Sequence, residues 1–300
     1  MRAVWSLWTK PYSAGLGSGW YSEWHHWLAW GLSVYTARQH YPQTCLVTDD
    51  DGARLLVDEL QLPFDEVSTG LNALRDHNPE WWSLGKVEAY RRQREPFVHV
   101  DADVFLWKSL PSHLTTADVF AQHPEPDTPG VVSYHPADLE SAIGRPNGGW
   151  LPKEWIWYRR NAQVEQGQCC GVLGGNRVDF INHYAESALQ LVAAARNRKA
   201  LQALAGKGAH MLLVEQYLLT ACVEYHHQSK SSPYRGIEIR HVFPTISDAF
   251  NPDRATEAGF THLVGAKRNA LVSRDLELRV QCDLPNYYDR CRNYAAAPGK

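Results

Sequence analysis

The apolar run Phe97-Val98-His99-Val100 is followed at once by Asp101-Ala102-Asp103 and then by a second apolar run, Val104-Phe105-Leu106-Trp107. A run that short and that apolar reads as a buried strand. The chain must therefore build a sheet with two carboxylates at one edge. In a strand, residues i and i+2 point to the same side. Both carboxylates then face one divalent cation and the phosphates that such a cation carries.

Strand-like and helix-like segments alternate over residues 1–110. Val4 to Trp8 reads as a strand and Gly15-Leu16-Gly17-Ser18-Gly19 as a flexible loop. Trp20, Trp24, Trp27, Leu28, Gly31, Leu32 and Tyr35 recur at helical spacing and define a long helix with one apolar face. Thr44-Cys45-Leu46-Val47-Thr48 is a short apolar strand ending at Asp49-Asp50-Asp51. A helix over Ala53 to Leu60, a strand near Phe64 to Val67 and a helix over Leu84 to Gln93 lead into the strand before Asp101. This alternation implies an α/β domain over residues 1–292, with a central, mostly parallel sheet flanked by helices. Ligands of such sheets bind beyond the carboxyl ends of the strands, which is where Asp49, Asp101 and Asp103 fall.

Residues 122–168 differ in texture. They are rich in Pro and Gly, with Trp150, Trp155, Trp157 and Tyr158 interspersed, and read as a loop region that forms a lid or binding surface. Gly171-Val172-Leu173-Gly174-Gly175-Asn176 reads as a turn opening a helix, with Asn176 and Asp179 as a variant capping box. A further helix covers about His210 to Val223, and residues 293–300 read as a disordered tail.

Composition excludes several classes. The net charge is −3, from 30 basic and 33 acidic residues, so no broad positive field exists to hold nucleic acid. No run approaches the ~18 apolar residues of a membrane span. The segment Met1 to Lys10 has too short an apolar stretch for a signal peptide and reads as the first strand. Six cysteines scattered through the 300 residues point to reduced thiols and a cytoplasmic protein.

The order of segments resembles the GT-A-fold glycosyltransferases, with family-8-like members nearest. It is carried by Phe97 to Val104, Cys170 to Asn176, Glu215-Gln216-Tyr217-Leu218-Leu219 and His262-Leu263-Val264-Gly265-Ala266-Lys267, within roughly residues 1 to 270. Two features depart from that family. One residue, not two, separates Gly265 from Lys267, and Glu215-Gln216 stands where Asp-Gln is usual. The resemblance implies a GT-A-like fold with residues 1–110 as the nucleotide-binding half and 111–292 as the acceptor-side half. It also implies a manganese or magnesium ion held by Asp101, Asp103 and His262, and a nucleotide-sugar donor, a UDP-sugar above others. Lys86 and Lys267 would meet the donor phosphates, and Thr48 and Asp49 the uracil or ribose. The implied activity is transfer of a sugar to a glycan or other hydroxyl acceptor.

Elementary chemistry asks for the same residue types. A departing nucleotide carries the negative charge of its diphosphate, which a divalent cation and nearby Lys or Arg side chains must stabilise as it builds. Gly174 and Gly175 let the backbone approach a bound sugar closely. Glu215 lies inside the apolar stretch Met211 to Leu219, where an unpaired carboxylate is costly. It either faces a polar cavity, as sugar contact or general base, or forms a salt bridge. Trp150, Trp155 and Trp157 are candidates for stacking on an acceptor sugar.

Each assignment has a plainer alternative. Asp49-Asp50-Asp51 also suits a helix N-cap, Lys86 an exposed helix position, Lys267 a solvated lysine, and His262 a surface or capping histidine. Gly174-Gly175 also suits a tight strand-to-helix turn. Most other tryptophans fit core positions, and His25-His26 and His226-His227 read as solvent-facing pairs. Two rival functions compete with transfer. One is a non-catalytic nucleotide-sugar or carbohydrate binding protein on the same fold. The other is an aspartyl phosphohydrolase, which the late position of Asp101 and the following Val104 disfavour.

Overall fold

Residues of the strand Arg2–Leu7 (β1) alternate between two cores. Val4 packs on one face of the sheet, while Ala3 and Trp5 pack on the other, as the two-residue period of a doubly covered strand requires. The same alternation places Phe97 in the first core and Val98 and Val100 in the second. These contacts come from a computed structural model that describes residues 1–16, 19–127, 134–144 and 148–296.

The remaining strands are Thr44–Thr48 (β2), Glu66–Ser68 (β3), Phe97–Val100 (β4), Val104–Leu106 (β5), Val119–Pro126 (β6), Gln166–Gly175 (β7), Ile239–His241 (β8) and Phe260–His262 (β9). Among the described residues, seven of them make a sheet in the order β3-β2-β1-β4-β7-β6-β8, and β5 and β9 make a separate pair. The β3-β2, β2-β1, β1-β4 and β6-β8 pairings are parallel, whereas β7 runs antiparallel to both β4 and β6. The expected α/β fold with a mostly parallel central sheet is therefore the fold observed. Strand β4 lies at its centre, so the residues that follow it emerge in the middle of the sheet's carboxyl edge.

Helices cover both faces. The relevant ones are Glu23–Arg38 (α1), Leu84–Arg91 (α2), Lys153–Asn161 (α3), Val178–Ala193 (α4), Leu218–Gln228 (α5), Ala270–Asp283 (α6) and Pro285–Ala295 (α7). Helices α2, α3, α4 and α5 supply one core, and α1, α6 and α7 the other. Helix α5 continues from Lys207–Leu212 through a π-helical turn, Leu213–Tyr217, which carries Glu215. Among the described residues, no helix is long and apolar enough to cross a membrane.

Several expectations need correction. Much of 122–168 is regular: β6 runs to Pro126, Pro136–Ile143 and α3 are helices, and β7 begins at Gln166. Short amphipathic turns between prolines pack against the core there; residues 128–133 and 145–147 of that region lie outside the described residues. Residues 171–175 are not a turn but the end of β7, because their backbone pairs with β4 and β6. The capping box does not form. Asn176 instead donates to Thr115 O and Ala117 O, and Asp179 pairs with Arg177. Residues 293–295 end α7, where Tyr287 and Cys291 anchor the helix to the core; of the expected tail, 297–300 lie outside the described residues, as do Gly17 and Ser18.

Helix α1 is buried on almost every side, from His25 to Val34, so the single apolar face expected from its tryptophans understates it. Gly31 is what lets α7 approach. A Cβ at Gly31 would lie 2.0 Å from Cε1 of Tyr287, whose hydroxyl donates to Trp27 O at 2.7 Å. Gly31→Ala should therefore lower stability by about 1–3 kcal/mol through overpacking, outweighing the ~0.5–1 kcal/mol that alanine normally adds in a helix interior. A thermal melt of the variant at or above the wild-type midpoint would contradict this packing.

Candidate functional site

The ladder of β4 continues one residue past the strand, where Asp101 N–H donates to Gly171 O at 2.9 Å. The chain then turns, with Val104 N–H donating to Asp101 O at 3.0 Å. Asp101 and Asp103 thus lie in a tight turn, not a strand, and the turn rather than strand alternation brings their carboxylates to one side. Beyond the turn, β5 pairs antiparallel with β9, which sets Val104 opposite His262. Leu263 N–H donates to Asp103 O at 3.1 Å. Side-chain donor atoms of Asp101, Asp103 and His262 consequently lie within 4.8 Å of one another.

The imidazole is oriented from behind. His262 Nδ1 lies 2.7 Å from Gln122 Oε1, an acceptor, so Nδ1 donates there and Nε2 is the nitrogen turned toward the site. Nε2 faces Asp103 Oδ1 at 3.5 Å. Gly171 makes room for this pair, because a Cβ there would lie 2.3 Å from Gln122 Oε1 and 2.5 Å from His262 Nδ1. Two carboxylates and an imidazole form a donor set suited to manganese or magnesium, with positions left for phosphate oxygens.

Two lysines neutralise the carboxylates. Lys86 Nζ, on α2, lies 3.0 Å from Asp101 Oδ2, 2.8 Å from Glu215 Oε1 and 3.0 Å from Cys170 O. Burial works against its charge, but Asp101 and Glu215 outweigh burial and hold the ammonium protonated well above the usual lysine range. Lys267 Nζ lies 2.7 Å from Asp103 Oδ2. Burial pushes the Asp101 carboxyl up to about 6 in spite of Lys86. Burial also acts on Asp103, yet His262 and Lys267 overcome it and hold that carboxyl well below the usual range. Three carboxylates against two ammonium groups leave the site with net negative charge, which repels a diphosphate. A divalent cation reverses that sign.

Beside these residues lies a cleft of ≈ 200 Å³, lined by Lys86, Asp101, Asp103 and Lys267 and walled by aromatic rings, among them Trp8, Trp20, Trp30 and Trp82. His26 also lines it. Trp30 Nε1 can only donate and lies 3.1 Å from His26 Nε2, so Nε2 accepts. Burial, reinforced by Lys267, holds the ring neutral by lowering its pKa to about 3. His26 Nδ1 therefore carries a proton, and that buried atom has no partner. Sequence reasoning did not place these aromatic residues or His26 in the site. Trp20 was read only as part of a helical apolar face, and His25 and His26, read as a solvent-facing pair, are buried. Two tryptophans in succession, Trp81-Trp82, just before the helix of Lys86 were the available signal.

Other expected site residues stand elsewhere. Thr48 is fully buried and donates to Leu7 O at 2.6 Å. Asp49 caps the helix Asp50–Ala53: Oδ1 accepts from Gly52 N–H, and Oδ2 from the Thr9 amide and hydroxyl. Both lie on the sheet's carboxyl edge but do not line the cleft. Gly174 and Gly175 pair with Val98 and Phe97, at the opposite end of β4 from Asp101. Their missing side chains admit Phe97 O and Asp118 O, not a ligand. Glu215 is 1% exposed and occupied by Lys86 and by the Tyr90 hydroxyl at 3.1 Å. The salt bridge, not the polar cavity, is its environment. Trp155 is core and donates to Glu140. Trp157 packs on Tyr225, and Trp150 is tied through its backbone to Asn197. None of the three lines the cleft.

The chain belongs to a family of unknown function, DUF6734, whose sequence profile matches residues 1–294. No curated protein matches it. Among solved structures it is similar to the crystal structure of a galactosyltransferase, LgtC, in complex with donor and acceptor sugar analogs. The identity is 11%, and the match covers 86% of this chain and 95% of that chain with a TM-score of 0.35. A likeness that loose carries no argument, so function is read from the site itself.

Two outcomes follow from the geometry. Gly171→Ala should push His262 and Gln122 apart while the fold is retained and, for a site that takes manganese, lower its affinity by at least about tenfold; isothermal titration that finds wild-type affinity in the variant would contradict the role of Gly171. The second concerns pH. The folded Asp101 carboxyl titrates at about 6, above the ~4 of an unfolded chain. Between those values the folded state keeps a proton that the unfolded state releases, so Asp101 costs stability increasingly up to pH ~6 and by a constant amount above it. The urea midpoint of wild type relative to Asp101→Asn should fall over that window and then level; a rise would show that Lys86 outweighs burial.

Proposed function

We propose that this member of the DUF6734 family is a metal-dependent glycosyltransferase that moves a sugar from a nucleotide-sugar, most simply a UDP-sugar, to a glycan or other hydroxyl acceptor. One observation carries the reading: Asp101, Asp103, Lys86 and Lys267 line one aromatic-walled cleft at the carboxyl edge of the sheet, with His262 beside Asp103. Asp101, Asp103 and His262 would hold manganese or magnesium, which when bound offsets the charge of a diphosphate leaving group. The chain's own groups do the rest. Lys267, partly accessible and paired with Asp103, can turn its ammonium to a phosphate oxygen. Lys86 keeps Asp101 and Glu215 compensated beneath the site. Trp20 and Trp82 offer accessible ring faces for a base or sugar, and His26 Nδ1 supplies a desolvated donor. In this reading residues 1–110 form the nucleotide-binding half. The protein works in the cytoplasm, where its six unpaired thiols stay reduced.

One observation favours a second reading, a non-catalytic nucleotide-sugar or carbohydrate binding protein on the same fold. Glu215, the residue expected as general base, is committed to Lys86 and Tyr90 and does not line the cleft. Thermal melts with UDP- and GDP-sugars, with and without manganese, separate the possibilities together with an assay for released nucleotide. For the enzyme, one donor should raise the melting midpoint only with metal and be turned over. Asp103→Ala should cut turnover by at least about 100-fold. Metal-dependent binding without turnover would favour the binding protein, and no response to any donor would sink the enzyme and the nucleotide-sugar binder alike.

A further inference from the structure

A second cluster of metal-binding side chains lies away from the cleft, where three helices meet. Glu154 stands in the first turn of α3, His183 within α4 and His226 in the last turn of α5. His183 Nε2 and His226 Nε2 are 3.1 Å apart, and Glu154 Oε1 lies 3.3 Å from the first and 3.2 Å from the second. Glu154 is 3% exposed and His226 2%, whereas the His183 side chain retains 29% exposure.

Hydrogen bonding satisfies such a triangle poorly. With a proton on each Nε2, both hydrogens crowd toward one carboxylate oxygen across a 3.1 Å gap. With a proton on only one of them, the lone pair of the other nitrogen still faces the carboxylate. A single cation serves all three atoms. Bonds of ~2.0–2.1 Å in tetrahedral geometry set neighbouring ligands about 3.3–3.4 Å apart, close to the three edges observed. The rings are also held from outside. His226 Nδ1 is 2.5 Å from Ser232 Oγ, which accepts from Tyr234 N–H as well, so the far nitrogen is anchored as in metal-bound histidines. Phe180, Tyr225 and Tyr234 stand edge-on to the His226 ring, and Tyr234 packs against His183. Lys153 Nζ, 4.0 Å from the same carboxylate oxygen, is exposed and rests over Tyr225 on the solvent side.

We propose that Glu154, His183 and His226 form a second metal site, specific for zinc or a similar divalent ion, with its fourth position open to water on the exposed side of His183. Two imidazoles and one carboxylate favour such an ion over magnesium or calcium, in contrast to the carboxylate-rich set at Asp101. The bound ion ties α3, α4 and α5 together. It also steadies the next residue of α4, Tyr184, whose hydroxyl donates to Glu215 O at 2.6 Å beneath the cleft.

The test is metal content and affinity of the full chain after chelator treatment and dialysis against zinc, in wild type, His183→Asn, Glu154→Gln and Asp103→Asn. Wild type and Asp103→Asn should each hold one equivalent that raises the melting midpoint. His183→Asn and Glu154→Gln should lose more than about 100-fold in affinity, beyond what removal of a supporting partner costs, and lose the zinc-dependent rise. Because His183 is partly exposed, His183→Asn decides the matter if Glu154→Gln fails to fold. Wild-type zinc affinity in His183→Asn would overturn the site and leave a hydrogen-bond network. Loss of zinc in Asp103→Asn alone would also overturn it, by placing the ion at the cleft. Asp103→Asn thereby separates this proposal from the glycosyltransferase reading, which fails or stands on donor turnover.

Discussion

The three hydrogens of the Lys86 ammonium meet three acceptors, the carboxylates of Asp101 and Glu215 and the carbonyl of Cys170. That one buried cation joins α2, the end of β4, strand β7 and the π-helical turn that carries Glu215. Buried carboxylates without such a partner would each cost several kcal/mol. With it, the sheet can end in acidic residues at its centre and still fold. The π-helical turn has a matching role: its extra residue aims Glu215 inward, where Tyr90 shares the carboxylate.

A second arm closes the site from far along the chain. Strand β9 delivers His262 beside Asp103, and the turn after it returns Lys267 to the same carboxylate. Gly171 and Gln122, on neighbouring strands β7 and β6, fix the imidazole from below. The site thus has a floor made by the sheet and a rim to which Lys267 contributes a partly accessible ammonium. Such an arrangement suits a ligand that brings negative charge only together with a divalent cation, which offsets the excess carboxylate and lets the rim exchange a carboxylate partner for a phosphate.

The fold was legible because its signal is local. Runs such as Thr44 to Thr48 and Phe97 to Val100, separated by helical spacing, can satisfy their backbones only as parallel strands with helical crossovers. The candidate metal site was legible for another reason: Asp101 and Asp103 stood out by type and spacing, the resemblance in segment order added His262 and Lys267, and the fold brings the four together. Lys86 lies beside Asp101, and its tie to Glu215 was not foreseen. The glycines were misread. Gly174-Gly175 looked like a ligand-binding turn, but strand pairing with β4 moves them to the far edge, and Gly171 occupies the place that the chemistry needs. His226 looked solvent-facing because a local pattern cannot reveal that α3 and α4 close over it.

By itself the sequence determined an α/β sheet with paired acids at its carboxyl edge, because strand and helix periodicities, and the chemistry of a side chain, are properties of neighbouring residues. Only the tertiary structure decided which side chains share a charge, which tryptophans wall the cleft rather than fill the core, and which histidines converge. Those outcomes depend on distances between residues far apart in the chain, such as Asp103 and Lys267, which are separated by 164 positions, and such distances exist only once the helices have packed.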